Sequence, residues 1–404
     1  MEEVSILKTA IQNAAHELLP RIITIRRHLH KHPELSFKEF NTAAFVADEL
    51  EAMGIPFERM LETGIVAKVE GKNPNSKTIA LRADLDALPI TEKNNIPYKS
   101  VNEGIMHACG HDVHASSLLG VAHILKKFSD SFEGTVKLIF QPGEEKAPGG
   151  ASLMIKAGVL ENPKPSSILA QHVFPSLSAG KVGFRSGMYM ASTDELYMTI
   201  LGKGGHAAMP AEYVNPVLIA STIIAALHQF FMDEKTRLRG ASEHPTVLAF
   251  GKIEGLGATN VIPEKVLVEG TFRTMNEEWR SAAHEFMKKT ALAVAKDMGG
   301  NCEFRVENGY PFLVNDPTIT EKAKIAAEKY LGRENVVELE KRMTAEDFAF
   351  YSQKLPACFY RLGTASADGK NSAGVHTSVF DIDEKALETG MGLMAWIAID
   401  ALQG

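Results

Sequence analysis

Residues 106–117 read Met-His-Ala-Cys-Gly-His-Asp-Val-His-Ala-Ser-Ser, gathering three of the chain's 14 histidines and one of its three cysteines. Thiolate and imidazole together are good donors for zinc and its neighbours. A thiol beside an imidazole can also serve as an activated nucleophile. The bland alternative is a polar turn ahead of a helix. In Cys109-Gly110-His111 the central glycine lets the backbone turn so that both flanking side chains face one point. By itself a Cys-x-His pair is more often accidental than a metal site.

Other donors raise the interest of that pair. Glu144-Glu145 follow the run KLIFQPG, so they sit where an apolar strand ends, with Pro142 and Gly143 shaping the turn. Adjacent residues point in different directions, so one acid can bind metal while the other faces substrate. An isolated Glu-Glu pair would read as an exposed acidic turn. His172 follows SSILAQ, again where an apolar strand is expected to finish, and such a histidine is often only a satisfied polar group. His376 lies in SAGVHTSVFD. Sulfur, nitrogen and oxygen donors from four places on one sheet edge would satisfy two metal ions. No donor is persuasive singly; the set is.

The elements that must position these side chains can be read from patterning. Residues 5–30 and 38–53 carry apolar positions at helical spacing, the first run stopping at the His-Pro of HKHPELSF. The runs GIVAKVEG, KTIALRAD, TVKLIFQ and SSILAQHVF read as strands and alternate with helical patterns at 115–128 and 149–158. That alternation argues for an α/β domain with a mostly parallel sheet and helices on both faces. Asp84, Asp86, Glu144, Glu145 and His172 fall at the carboxyl ends of these strands, where open α/β sheets bind ligands. Near 185 the texture changes to strand, helix, strand, strand, helix, strand, the ferredoxin-like split βαβ order. After about 305 the α/β texture returns, with helices near 316–331 and 384–402 and strands near 335–339 and 357–363. The expected organisation is one α/β domain, residues 1–187 and 305–404, interrupted by a smaller α+β domain at 188–304.

Bulk composition removes some function classes. The net charge is -7 with both signs scattered, so no basic nucleic-acid face is present. The short run Arg26-Arg27-His28-Leu29-His30-Lys31-His32 reads as a solvated helix end. Three cysteines make no disulfide framework and suit a reducing compartment. The start MEEVSILKTAIQ lacks the layout of a signal peptide, and no apolar stretch nears the roughly 18 residues of a spanning helix. The expectation is a cytoplasmic, soluble protein with neither nucleic-acid nor membrane partner.

In order and across nearly the whole chain, RRHLHKHPELSF, LRADLDALPI, MHACGHDVHAS, IFQPGEE, GKGGHAAMP, TNVIPE, GTFRT, EDFAFY and HTSVFD resemble one family. It is the dinuclear metallo-amidohydrolase and metallopeptidase family of aminoacylases, hippurate hydrolase, plant auxin-conjugate hydrolases and bacterial glutamate carboxypeptidase. The hippurate and auxin-conjugate branch is the most similar. The resemblance implies metal ligands at Cys109, His111, Glu145, His172 and His376, and a general base at Glu144. Related members keep a carboxylate behind a metal-binding histidine. Here that carboxylate is Asp86 and the histidine's position is Asp84, so Cys109 takes over part of the ligation and Asp86 orients ligands by hydrogen bonds. Asp112 is a candidate to orient His111, and His107 and His114 read as flanking structure. The resemblance further implies a lid domain through which subunits pair, with His206 reaching from the partner subunit's lid as oxyanion donor. Asn260 and Arg273 would bind substrate, Arg273 by a fork to its carboxylate. Without the resemblance these three would be an ordinary surface histidine, a loop amide and a commonplace strand arginine.

The implied activity is hydrolysis of an N-acyl amino acid, or a dipeptide, to a carboxylate and a free amino acid. Water would be activated by two divalent ions, with Glu144 moving the proton. A thiolate donor leans toward zinc; manganese, nickel and cobalt also suit mixed donors. Two alternatives stand beside it: a thiol-dependent amidase using Cys109, and a non-catalytic metal- or peptide-binding dimer.

Overall fold

The strands Thr78–Asp84 and Thr135–Gln141 are buried from end to end, as strands covered on both faces must be. They run parallel, in register from Thr78↔Thr135 to Asp84↔Gln141. In the computed structural model, which describes residues 2–232, 245–369 and 371–403, they lie near the middle of an eight-stranded sheet. Its order is 57–60, 64–70, 135–141, 78–84, 168–178, 357–365, 182–184, 336–338. The four strands 135–141, 78–84, 168–178 and 357–365 are mutually parallel, and antiparallel pairings are confined to the flanks. The fold is therefore α/β with a mostly parallel sheet.

Side-chain alternation sorts this sheet into two faces. Ile79, Leu81 and Ala83, Val136, Leu138 and Phe140, and Leu169 and Val173 belong to one core with the helices Glu2–Lys31, His111–Lys127 and Ala386–Gln403. The intervening positions Arg82, Asp84, Gln141 and His172 consequently take the other face. Register brings them level: Arg82 opposes Ile139 on one side and Ala170 on the other. Two residues further on stand Asp84, Gln141 and His172. The short helices Gly150–Lys156 and Ala349–Ser352 pack together beside this region.

Two details differ from the sequence reading. The helix expected from 115 begins at His111, because Gly110 adopts a left-handed conformation (φ 83°) and caps it four residues earlier. His172 is not at a strand end. Pairing with Ala357–Ala365 carries its strand on to Ser178, so His172 reaches the site from within the strand.

The chain divides into two compact units. The first comprises residues 1–187, 314–340 and 347–404, and the second 188–313 and 341–346. The second runs further than the cut at 304/305, since strand Asn301–Asn308 pairs along its length with Asp194–Leu201 and cannot be divided there. Its antiparallel sheet has the order 246–254, 265–274, 194–201, 301–308. Helices Pro216–Met232 and Glu277–Asp297 cover it through Ile219, Ile223, Leu227, Met287 and Ala291. The Asn276 side chain caps the second helix by accepting from Trp279 N at 2.7 Å. Among the described residues no helix is long and apolar enough to cross a membrane.

Candidate active site

The site is assembled around Gly110. A Cβ on that residue would meet Val173 Cγ2 at 2.6 Å, and its φ of 83° is one that L-residues rarely adopt. This turn lets Cys109 and His111 face the same space. The Cys109 Sγ lies 3.4 Å from His172 Nε2 and 3.3 Å from His376 Nε2. His172 donates from Nδ1 to the Val173 carbonyl at 2.8 Å, which leaves Nε2 as the bare nitrogen facing the thiol. His376, itself at φ 63°, is pinned by its N–H donating to Ala108 O at 2.7 Å.

Glu145 closes the cluster. Its Oε1 is 3.2 Å from His376 Nε2 and 3.9 Å from His111 Nε2. Neither that oxygen nor His111 Nε2 makes a hydrogen bond, although both atoms are buried. Three overlapping trios, Cys109–His111–His172, Cys109–Glu145–His376 and His111–Glu144–Glu145, each bring their ligand atoms within 4.8 Å of one another. Buried atoms left without partners inside a set of sulfur, nitrogen and oxygen donors fit what a thiophilic divalent ion requires.

Asp86 aims this cluster. Its Oδ1 accepts from Glu144 N at 3.0 Å and lies 3.2 Å from His111 Nδ1. Its Oδ2 accepts from Glu145 N at 2.9 Å and from Ser36 Oγ at 2.6 Å. One buried carboxylate thus fixes the His111 ring and both acids of the turn, with no lone pair free for a metal. Burial works to raise the Asp86 carboxyl, but the His111 and Ser36 bonds outweigh it and hold it below the usual range. Glu39 braces the same turn, its Oε1 accepting from Gly143 N at 2.8 Å. Glu144 is 6 % exposed, and its Oε1 accepts from Asp347 N at 3.3 Å.

Asp84, at the position of the family's histidine, has both oxygens engaged. Oδ2 accepts from Arg82 Nη1 and Oδ1 from His114 Nδ1, each at 2.6 Å. His114 then accepts from Val173 N at 3.0 Å, so this residue in the helix's first turn supports the strand that carries His172. Asp112 does not orient His111. Its Oδ2 accepts from Arg26 Nε and lies against His30 Nδ1, each at 2.8 Å. This also corrects the reading of Arg26–His32 as a solvated helix end: Arg26 and His30 are fully buried. The helical period places them on the inner side, with Arg27 and His28 outside. His107 is buried beside this network without hydrogen bonds to its ring nitrogens, and burial lowers its pKa to about 4.

The electrostatics around Cys109 disfavours a free thiolate. Burial, then Glu145, Glu144 and Asp84, push the Cys109 thiol well above its ordinary value. A thiol nucleophile needs the opposite shift. For His111, burial favours the neutral ring, but Asp84, Asp86 and Glu145 outweigh it and raise the pKa to about 10. Clustered carboxylates therefore call for positive charge at this point. A divalent cation would supply it, and would favour the thiolate form of a cysteine that bound it.

The remaining candidates lie in the second unit, in two places. His206 is exposed on the strand Gly205–His206, which pairs with Val261–Ile262. Ala207 N donates to Asn260 O at 3.0 Å, so His206 and Asn260 are neighbours. Ala208 N donates to His206 Nδ1 at 3.1 Å. Arg273 lies near the far end of strand Lys265–Thr274, half-buried, donating from Nη1 to Met343 O at 3.1 Å. Arg82, Gln141 and Asp347, which support the cluster, escaped the sequence reading. A charged residue inside the apolar run KTIALRAD was the available sign.

A family model described as peptidase family M20/M25/M40 matches residues 80–400. The chain is 37% identical over 385 residues to the IAA-amino acid hydrolase ILR1-like 4 of Arabidopsis thaliana, covering 93% of this chain and 84% of that protein. It is 36% identical over 388 residues to an N-acetylcysteine deacetylase of Bacillus subtilis, covering 95% and 97%. Among solved structures it resembles the Bacillus subtilis YXEP protein, described as a dinuclear metal binding peptidase. That match has a TM-score of 0.82 at 35% identity and covers 96% of this chain and 99% of that one.

Proposed function

From the premise that this chain belongs to peptidase family M20/M25/M40, we propose that it is a metal-dependent amidohydrolase that cleaves N-acyl amino acids to a carboxylate and a free amino acid. The observation that carries the proposal is the converging donor set of buried Cys109, His111 and His172 with Glu145 and the more exposed His376, in which the buried atoms His111 Nε2 and Glu145 Oε1 are left without hydrogen bonds. These five residues would hold two divalent ions, zinc by preference for a thiolate donor, with manganese, nickel and cobalt also suited to the mixed set. When bound, the ions bring the pKa of water toward neutrality and polarise the amide carbonyl. Named relatives acting on N-acetylcysteine and on IAA-amino acids support the N-acyl amino acid class, a dipeptide being its nearest variant.

Glu144 is the base. The Asp347 N–H bond to Oε1 and the Asp86 bond to its backbone N–H hold it beside the ligand cluster. There it takes a proton from water and returns it to the leaving amine. Asp86, 3.2 Å from His111 Nδ1, keeps the ring in the tautomer that would leave Nε2 free to act as a ligand. Arg273 forks to the substrate carboxylate. His206, with Asn260 beside it, donates to the carbonyl oxygen as it gains charge. The second unit acts as lid and pairing surface, so the functional form is a homodimer and His206 serves the partner subunit's site. A cysteine ligand that must stay reduced suits a cytoplasmic setting.

The test is a panel of N-acyl amino acids, with acyl and amino acid parts varied independently, assayed before and after exhaustive chelation. Activity should vanish on chelation, return with divalent metal, and fall when the substrate's free carboxylate is amidated. Hydrolysis that survives chelation and is stopped by thiol alkylation would replace this reading with the thiol-dependent one.

A further inference from the structure

Arg82 lies inside the apolar run of a central strand, and its side chain is fully buried. A guanidinium does not shed its proton in a protein, so burial there must be matched by acceptors. Nε donates to Gln141 Oε1 at 3.0 Å, Nη1 to Asp84 Oδ2 at 2.6 Å and Nη2 to Asp347 Oδ1 at 2.8 Å. The sheet explains the set: Arg82 and Asp84 share a face by alternation, and Gln141 opposes Asp84 in the ladder. One cation allows two carboxylates to be buried, and each leads to a different part of the site.

On one side is Asp347. Its carboxylate also accepts from Gln141 Nε2 at 2.9 and 2.8 Å and from Ala151 N at 2.9 Å, so it is held from three directions. Its own N–H donates to Glu144 Oε1 at 3.3 Å. On the other side Asp84 accepts from His114 Nδ1 at 2.6 Å, which leaves His114 Nε2 to accept from Val173 N at 3.0 Å. The Val173 carbonyl accepts from His172 Nδ1 at 2.8 Å, turning His172 Nε2 toward Cys109. A continuous buried chain therefore runs Glu144–Asp347–Arg82–Asp84–His114–Val173–His172.

We propose that Arg82 is a positioning residue that fixes Glu144 relative to His172, acting through Asp347 on one side and through Asp84 and His114 on the other. The proposal rests on the reading of Glu144 as base and His172 as ligand. Proton transfer needs the base at hydrogen-bond distance from its water, and a misplacement of about 1 Å is enough to lower turnover about 100-fold. Lysine at position 82 keeps the charge but not the planar fork that meets three acceptors at once.

The experiment compares Arg82→Lys, Asp347→Asn and Gln141→Met in metal-loaded enzyme by kcat, KM, elemental analysis and thermal unfolding. Expected are kcat values about 10–100-fold down with KM little changed. Asp347→Asn should keep its full metal complement, whereas Arg82→Lys, which also disturbs the His172 end, should hold metal more weakly against a competing chelator. The double variant Arg82→Lys/Asp347→Asn should lose no more kcat than the weaker single variant, as members of one chain do. Multiplying losses would overturn the proposal. So would a kcat loss that merely tracks the loss of folded, metal-loaded protein. Gln141→Met alters no charge, which keeps the test decisive if the charged variants do not fold: an unchanged kcat in it overturns the positioning role. Glu144→Gln, assayed in parallel, separates the two claims. Turnover in that variant removes the base itself, whereas an inactive Glu144→Gln beside fully active Asp347→Asn and Gln141→Met removes only the role of Arg82.

Discussion

At the scale of single residues, the site depends on side chains whose hydrogen bonds aim them elsewhere. Cys109 is the clearest instance of environment deciding chemistry: the same thiol that reads as a nucleophile beside an imidazole is pushed well above its ordinary pKa by burial and by Glu145 and Glu144. The Asp86 carboxylate meets protein donors at both oxygens, and His111, Glu144 and Glu145 all hang from it. Asp86→Ala should therefore weaken metal binding or activity about 10–100-fold, the usual effect of losing an orienting partner of a ligand. Competition with a chromogenic chelator measures it, and wild-type affinity with wild-type turnover would show that the turn holds its shape without Asp86.

At the scale of elements, the helix Glu2–Lys31 reaches the site through Arg26, which pairs with Asp112 at 2.8 Å in the first turn of the helix that bears His111. Burial favours the neutral Asp112 carboxyl, but Arg26 and His30 outweigh it and hold its pKa well below the usual range. A carboxyl depressed in the folded state contributes stability that is complete above its unfolded pKa, about 3.9, and is lost as the pH falls through the lower folded value. Arg26→Met, which takes away the permanent cation of the buried carboxylate and leaves it His30 alone, should destabilise the fold by about 3–5 kcal/mol. Asp112→Asn should flatten the acid side of the stability curve. Urea unfolding between about pH 7 and pH 3 tests both, and parallel curves for wild type and Asp112→Asn would exclude the pair as the source. The elements themselves were largely legible in the sequence, because long amphipathic helices and end-to-end apolar strands carry strong periodic signals; TVKLIFQ became a strand over those same residues. Short flanking strands such as Phe57–Met60 and Val182–Phe184 escaped, being too brief for a pattern. The donor cluster was legible through its residue types, through their placement at expected strand ends and through the resemblance of the motifs that carry them. The supports Arg82, Asp347, Arg26 and Asp112 were not, since a charged residue gives no sign in sequence of whether its partners lie in water or across the sheet.

At the scale of the whole molecule, Cys109, His111, Glu144, Glu145, His172 and His376 belong to the first compact unit, whereas His206 and Asn260 belong to the second. If His206 serves the partner subunit, Glu144→Gln and His206→Ala chains should each be inactive alone. Mixed and re-associated, they should recover about a quarter of wild-type activity, from the single competent site of each heterodimer. A mixture as inactive as its parts would place His206 in its own subunit's site or in none. The central claim, a metal-bearing amidohydrolase whose base is Glu144, is tested most directly by Glu144→Gln measured for metal content and turnover in the same sample. Expected is an unchanged complement of divalent metal with turnover of N-acyl amino acids reduced about 100–10,000-fold; wild-type turnover in the fully metallated variant would contradict the assignment of Glu144.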